Sequence, residues 1–152
     1  MDDDPQPAAA IERLALRLLA TREHSRLELE RKLQARGYPA DTLGPVLARL
    51  AEQGAIDEAR LAQTYVAERV GKGFGPLRIR AELRDKGLPD AAIDPYLRAM
   101  NDDWPALLAA AHERRFGAEP PADETDLGRR GRFLEQRGFP PELIRRQLRR
   151  HD

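Results

Sequence analysis

Apolar residues recur along most of the chain at intervals of three and four positions, which is the spacing of one face of an α-helix. The first run contains Ile11, Leu14, Ala15 and Leu18, and comparable runs follow after interruptions at glycine or proline. This pattern predicts helices over 8–22, 25–36, 40–53, 57–70, 76–86, 90–101, 104–116, 126–137 and 141–150.

One unit of about 50 residues is repeated three times along the chain. Leu33–Pro39 reappears as Leu83–Pro89 and again as Leu134–Pro140, each time with the pattern Leu-x-x-x-Gly-apolar-Pro. Helices commonly end at a left-handed glycine, followed by an apolar residue that folds back on the last turn and by a proline soon after. The repeat therefore predicts an all-α protein, an elongated tandem array of three three-helix repeats with a tight corner in each.

The repeat divides the chain into a disordered tail over 1–7 and three-helix repeats over 8–53, 54–101 and 102–152. Within the third repeat, residues 117–125 are rich in proline and acidic residues, so we expect a mobile loop there. Pro45 and Pro95 lie inside predicted helices, which must either begin late or bend at these positions.

Two of the predicted helices carry recognisable start signals. Ser25-Arg26-Leu27-Glu28 has the form of a capping box, and Gly75-Pro76 places proline where a first helical turn tolerates it. Trp104, the single tryptophan, lies at another helix start and is interpreted as a packing anchor.

The composition favours helices and argues against several classes of protein. Charged residues make up 34% of the chain and aromatic residues 5%, a balance that gives β-sheets little to pack with. Without cysteine there are no disulfides or thiolate metal sites, which agrees with a reducing cytoplasm. No apolar run approaches the roughly 20 residues that span a bilayer, so no membrane association is expected.

The 26 basic and 26 acidic side chains cancel, so attraction to an anionic partner must come from their uneven placement. Segment 126–150 contains eight arginines against three acids, and Arg145, Arg146, Arg149 and Arg150 form like-charge pairs four residues apart. A second basic stretch contains Arg69, Lys72, Arg78, Arg80, Arg84 and Lys86, with Glu82 expected to pair with Lys86. Each stretch either binds an anionic partner or is a solvated face balanced by acids elsewhere.

No arrangement of residues indicates catalysis or a cofactor. His24, His112 and His151 lie on separate predicted elements and are expected on the surface, without metal-ligand or dyad spacing. The run Gly71–Gly75 lacks the preceding strand and the Gly-Lys-Ser/Thr ending of a phosphate-binding loop, so it predicts a flexible joint whose Phe74 packs in the core. We therefore expect a protein that acts by binding another macromolecule.

The central part of the chain resembles the signature of the RecX family of bacterial regulatory proteins. The matching runs are Ala55–Arg69 and Gly73–Leu88, which include an acidic helix start, a Tyr-Val pair, the glycine joint and a Glu-Leu-x-x-Lys-Gly ending. The flanking repeats extend the resemblance over almost the whole chain.

This resemblance implies a modular protein that binds the RecA recombinase filament on DNA, lies in its helical groove and inhibits its strand-exchange, ATPase and coprotease activities. It thereby implies modulation of DNA repair and the SOS response, with no catalytic residue, no cofactor and a cytoplasmic location. We expect a monomer whose two basic stretches contact acidic surfaces of the filament or its DNA, and single- or double-stranded DNA is a further candidate partner.

Two alternatives belong to other classes. A helix-turn-helix DNA-binding regulator also has three-helix units, but the helices after the corners contain Pro45 and Pro95 and few base-reading side chains. A tetratricopeptide-like scaffold repeats at about 34 residues, which does not match the period found here.

Overall fold

The structure of the chain, a computed structural model, describes residues 6–149. Within that range the regular elements are all α-helices, which confirms the all-α prediction: α1 (Gln6–Thr21), α2 (Arg26–Ala35), α3 (Ala40–Glu52), α4 (Glu58–Gly71), α5 (Pro76–Asp85), α6 (Asp90–Arg98), α7 (Trp104–Phe116), α8 (Glu124–Arg137) and α9 (Pro141–Arg149). Residues 1–5 of the expected disordered tail lie outside the described residues. Gln6 and Pro7, which were also expected in that tail, form the start of α1 instead. Arg150 and His151 also lie outside them.

Each repeat consists of three consecutive helices, and its third helix packs against the other two. The apolar spacing read from the sequence is what these helices bury. In repeat 1, for example, Ile11, Leu29, Leu33, Leu43 and Leu47 are fully buried in one cluster.

The three repeats differ in how they share their cores. Repeat 1 has a core of its own, whereas the apolar residues of repeats 2 and 3 form one continuous cluster that runs from Leu61 to Leu148. Trp104 is 4% exposed within this shared cluster, which confirms its interpretation as a packing anchor, and Phe74 is partly buried at its edge. Repeats 2 and 3 therefore share one buried core, which the core residues of repeat 1 do not join.

The predicted glycine corners are confirmed. Gly37, Gly87 and Gly138 have φ angles of +98°, +93° and +99°, in the left-handed region where residues with a Cβ are strained. At the second corner, the Leu88 N–H donates to the carbonyl oxygen of Leu83 at 3.1 Å, so the apolar residue after the glycine closes the last turn as expected.

The helix starts follow the sequence signals, and the two internal prolines do not shift them. The Ser25 Oγ accepts from the Glu28 N–H and the Glu28 carboxylate accepts from the Ser25 N–H, both at 3.0 Å, which confirms the capping box. Pro45 and Pro95 do not delay their helices, since α3 and α6 begin five residues before them. Each proline lies close enough to the N-terminus that it removes a single helical hydrogen bond near the first turn.

The expectation that His24 and His112 lie on the surface is wrong. His24 is fully buried between α1 and α2, where its Nε2 lies 2.8 Å from Lys32 Nζ and its Nδ1 lies 3.0 Å from the Arg22 carbonyl oxygen. Because an ammonium group can only donate, Nε2 accepts and Nδ1 carries the proton. Burial lowers the pKa of His24, since the cationic form would lose its hydration.

His112 is 3% exposed and stacks near Phe116, with its Nε2 3.3 Å from the buried Arg130. Arg130 also donates to the carbonyl oxygen of Glu119 at 2.9 Å and pairs with Asp126 at 3.2 Å. These contacts tie the 117–123 connection to α8. The sequence did not indicate them, and the mobility of 117–125 stays a prediction.

No helix among the described residues is long and apolar enough to cross a membrane.

Candidate partner-binding surface

The middle helices of the three repeats, α8, α5 and α2, meet end to end. Where repeat 3 meets repeat 2, the N–H groups of Gly75 and Leu77 donate to the carbonyl oxygens of Arg137 and Gly138 at 2.7 and 2.9 Å. Where repeat 2 meets repeat 1, the Ser25 hydroxyl donates to the carbonyl oxygen of Lys86 at 2.5 Å. In both junctions, groups left unpaired at one helix end are satisfied by the end of the next helix.

The corner glycines have a second role at these junctions. A Cβ added at Gly138 would lie 2.4 Å from the Cβ of Arg78, and one at Gly87 would lie 2.8 Å from the Cβ of Leu27. The equivalent Gly37 has no atom within 4 Å of that position. Glycine at two of the corners therefore also permits the close approach of the next repeat.

Glu82 of α5 is the centre of an ionic cluster in repeat 2. Its carboxylate accepts from the Tyr65 hydroxyl at 2.8 Å, from Arg69 at 2.9 Å and from Arg78 at 3.2 Å. Burial alone would raise the pKa of Glu82, but these three donors lower it below its usual value. Burial, together with the bond to Glu82, raises the pKa of Tyr65 to about 12.

The expected pairing of Glu82 with Lys86 is wrong. Lys86 Nζ instead lies 3.0 Å from the Glu28 carboxylate in repeat 1, because Lys86 sits at the end of α5 that meets α2. The other cations of this stretch also have acidic partners within the chain: Lys72 with Glu68 at 3.2 Å, Arg80 with Asp94 at 2.8 Å and Arg84 with Asp90 at 2.6 Å. The basic stretch from Arg69 to Lys86 is thus largely balanced internally.

In the other basic stretch, 126–150, the arginines of α9 are not balanced in this way. On α9, Ile144 and Leu148 are buried while Arg145, Arg146 and Arg149 are exposed, and none of the three has an acidic partner among the described residues. The fourth predicted member, Arg150, lies outside those residues. The exposed face of α9 therefore keeps its positive charge available to a partner.

Arginines also gather around Phe74, an arrangement that the sequence did not indicate. The guanidinium carbons of Arg69, Arg78 and Arg137 lie 3.8, 4.5 and 4.6 Å from the centre of the Phe74 ring. Arg137 comes from α8, far away in sequence, and no periodicity or motif connects it with the glycine joint. The joint is thus a packed contact between repeats 2 and 3.

Charged groups hold the junction between repeats 1 and 2. Glu28 pairs with Lys86 at 3.0 Å and with Arg22 at 3.1 Å, and Arg60 of α4 pairs with Glu23. Burial would raise the pKa of Glu28, but hydrogen bonds from the Ser25 N–H, Arg22 and Lys86 lower it to about 2. The charged form of Glu28 therefore contributes to this junction fully above its ordinary pKa of 4.5, and this contribution is lost as the pH falls toward 2.

We expect a direct titration to show this coupling. The carboxyl carbon of Glu28, followed by NMR, should titrate with a midpoint near 2, and Lys86→Met should raise that midpoint because it removes one donor while keeping the side-chain length. A midpoint near 4.5 in the unmodified protein, or no change in the Lys86→Met variant, would contradict the junction described here.

Comparison with known proteins agrees with this architecture. The chain matches the family models for the first, second and third three-helix domains of RecX over residues 9–50, 57–97 and 101–148. It is 45% identical over 145 residues to "Regulatory protein RecX" of Halorhodospira halophila, covering 95% of this chain and 90% of that protein. It is 44% identical over 139 residues to the protein of the same name in Pseudomonas entomophila, covering 91% of this chain and 90% of that protein.

Two crystal structures share the fold. RecX from Lactobacillus salivarius superposes with a TM-score of 0.75 at 20% identity, covering 94% of this chain and 95% of that chain. A second structure, titled as regulatory protein RecX, has a TM-score of 0.74 at 23% identity, covering 93% of this chain and 71% of that chain.

Proposed function

Because this chain belongs to the RecX family of regulatory proteins, we propose that it regulates the RecA recombinase by binding the filament that RecA forms on DNA. In this proposal the chain lies in the helical groove of the filament and inhibits strand exchange, ATP hydrolysis and coprotease activity, and so modulates DNA repair and the SOS response. It acts in the cytoplasm, as a monomer, by binding and not by catalysis.

The end-to-end arrangement of α8, α5 and α2 is the observation that best supports a filament as the partner. Three repeats that follow one another offer a succession of similar surfaces, and a filament offers a succession of identical subunits. Contacts made by one repeat raise the effective concentration of the next repeat at its own contact, so modest individual contacts add up to firm binding.

The charges indicate which residues contribute most to this binding. Of the cations that the sequence singled out, those between Arg69 and Lys86 are engaged with Glu28, Glu68, Glu82, Asp90 and Asp94, so they are less available to a partner. The pair of Lys86 with Glu28 also joins repeats 1 and 2. The unbalanced arginines of α9 are free to attract acidic surfaces of the filament or the phosphates of its DNA. We therefore assign the main electrostatic contact to Arg145, Arg146 and Arg149.

The proposal is tested by ATP hydrolysis of RecA on single-stranded DNA with increasing amounts of this protein. We expect hydrolysis to slow progressively as the protein occupies the filament. If the rate stays unchanged even when this protein is in excess over RecA, while the protein remains folded by circular dichroism, the proposed function is refuted.

A further inference from the structure

A small cavity lies where repeat 3 meets the glycine joint of repeat 2. It encloses about 130 Å³, and its lining residues come from the end of α4, from α7 and from α8: Lys72, Gly73, Ala111, Arg114, Arg115, Phe133 and Arg137. Four of these side chains are cationic, and none of the described residues that line the cavity is acidic.

The protein holds these cations close together. Arg137 is half-buried and donates to the carbonyl oxygen of Lys72 at 3.4 Å. The guanidinium carbons of Arg137 and Arg115 lie 5.1 and 5.6 Å from the centre of the Phe133 ring. The backbone at Gly73 has φ +89°, and a Cβ added there would lie 3.4 Å from the Arg114 guanidinium. Glycine thus lets the joint approach the cavity wall without a side chain in between.

Internal acids balance little of this charge. Lys72 has an exposed partner in Glu68, an arrangement that contributes little in water, while Arg114, Arg115 and Arg137 have no ion pair among the described residues. Burial lowers the pKa of Arg137, and the charges of Arg78, Arg114 and Arg69 lower it further. The four cations repel one another unless an anion lies between them.

Helix stability explains only part of this arrangement. Arg114 and Arg115 occupy the last turn of α7, where positive charge is favourable to the helix dipole. Arg137 in the last turn of α8 and Lys72 at the C-terminal cap of α4 are also favourably placed for their own helix dipoles. That effect does not explain why the ends of three helices bring their cations to one cavity. Convergence of donors from three elements on one small space is typical of a binding site.

We propose that this cavity binds a phosphate group. A phosphate presents its oxygens in tetrahedral directions, which suits guanidinium and ammonium donors arriving from three helices, whereas a carboxylate offers two oxygens in one plane. The phosphate can come from a nucleic-acid backbone or from a free phosphorylated molecule. This inference does not rest on the proposed function, because it concerns binding by the chain alone.

The test measures binding without RecA. Inorganic pyrophosphate is titrated by calorimetry, and a fluorescein-labelled single-stranded oligothymidylate by polarisation, both at low ionic strength. The variant Arg114→Gln with Arg115→Gln removes two exposed cations from the cavity. The control Arg13→Gln with Arg17→Gln removes two exposed cations from α1, where neither has an ion pair among the described residues.

The cavity variant should bind at least about tenfold more weakly than the unmodified protein, because each lost charge-assisted hydrogen bond weakens binding by about that factor, and the control should change less than about twofold. Binding of pyrophosphate supports a site for a free phosphate group, and binding of oligothymidylate alone supports the nucleic-acid backbone. The proposal is overturned if neither probe binds, or if the control variant loses as much affinity as the cavity variant.

Discussion

The variant Gly138→Ala is expected to lower the free energy of unfolding by about 2 to 5 kcal/mol, the largest loss for a single methyl group that this structure implies. Two effects combine at this position. Its φ of +99° is unfavourable for alanine by about 1 to 2 kcal/mol, and the new Cβ would lie 2.4 Å from Arg78 Cβ and 2.6 Å from Arg78 N. Such an overlap with backbone can be relieved only if the junction of repeats 2 and 3 shifts.

Two other glycines separate these effects. Gly37→Ala carries the φ penalty alone, since nothing lies within 4 Å of the new Cβ, and should cost about 1 to 2 kcal/mol. Gly75→Ala carries the overlap alone, because its φ of −98° suits any residue while its Cβ would lie 2.6 Å from the Gly138 backbone. This variant should lower the free energy of unfolding by about 1 to 3 kcal/mol. Urea denaturation followed by circular dichroism measures all three variants. Equal losses for Gly37→Ala and Gly138→Ala would show that the junction is not as tight as described.

Reversing charge on α9 should have the largest effect on function. We expect Arg145→Glu combined with Arg146→Glu to raise the concentration needed for half-inhibition of RecA ATP hydrolysis by about tenfold or more, because like charge placed against an acidic partner is costly and slows association. The difference should shrink as salt is added, since exposed charges are screened.

The control for this experiment is Arg13→Glu combined with Arg17→Glu, which changes the net charge by the same amount on the exposed side of α1. It should inhibit nearly as well as the unmodified protein. Thermal melts should show little change for either variant, because all four arginines are exposed and without ion pairs among the described residues. If both variants lose inhibition equally, overall charge governs binding and the assignment to α9 is wrong.

The way the repeats are joined bears on how the chain can move. Repeats 2 and 3 share a buried apolar cluster, whereas repeat 1 is attached by Glu28 with Lys86, by Arg60 with Glu23 and by the hydroxyl of Ser25. Ionic contacts weaken as salt or acid is added, whereas the stabilisation from apolar burial changes little with either. We therefore expect repeat 1 to be the unit whose position relative to the others adapts most easily to a partner.

Much of this architecture was readable from the sequence because its causes are local. The helical period, the capping box at Ser25 and the glycine corners each depend on residues within a few positions of one another, so the all-α repeat array followed from them. The family resemblance rests on such local patterns as well, and its three-helix units are confirmed over residues 9–148.

The tertiary structure alone decided which charges meet. Glu82 was expected to pair with Lys86 one turn away, but the fold brings Arg69 and Arg78 to Glu82 and carries Lys86 to Glu28, 58 residues away. His24 became buried because flanking helices cover it, and the cationic cavity formed because Arg137 reaches Lys72 from 65 residues away. Sequence spacing determines the contacts within a helix, whereas contacts between helices depend on how the helix ends meet. In this chain the junction glycines lack a Cβ, and this lets the helix ends come close enough to meet.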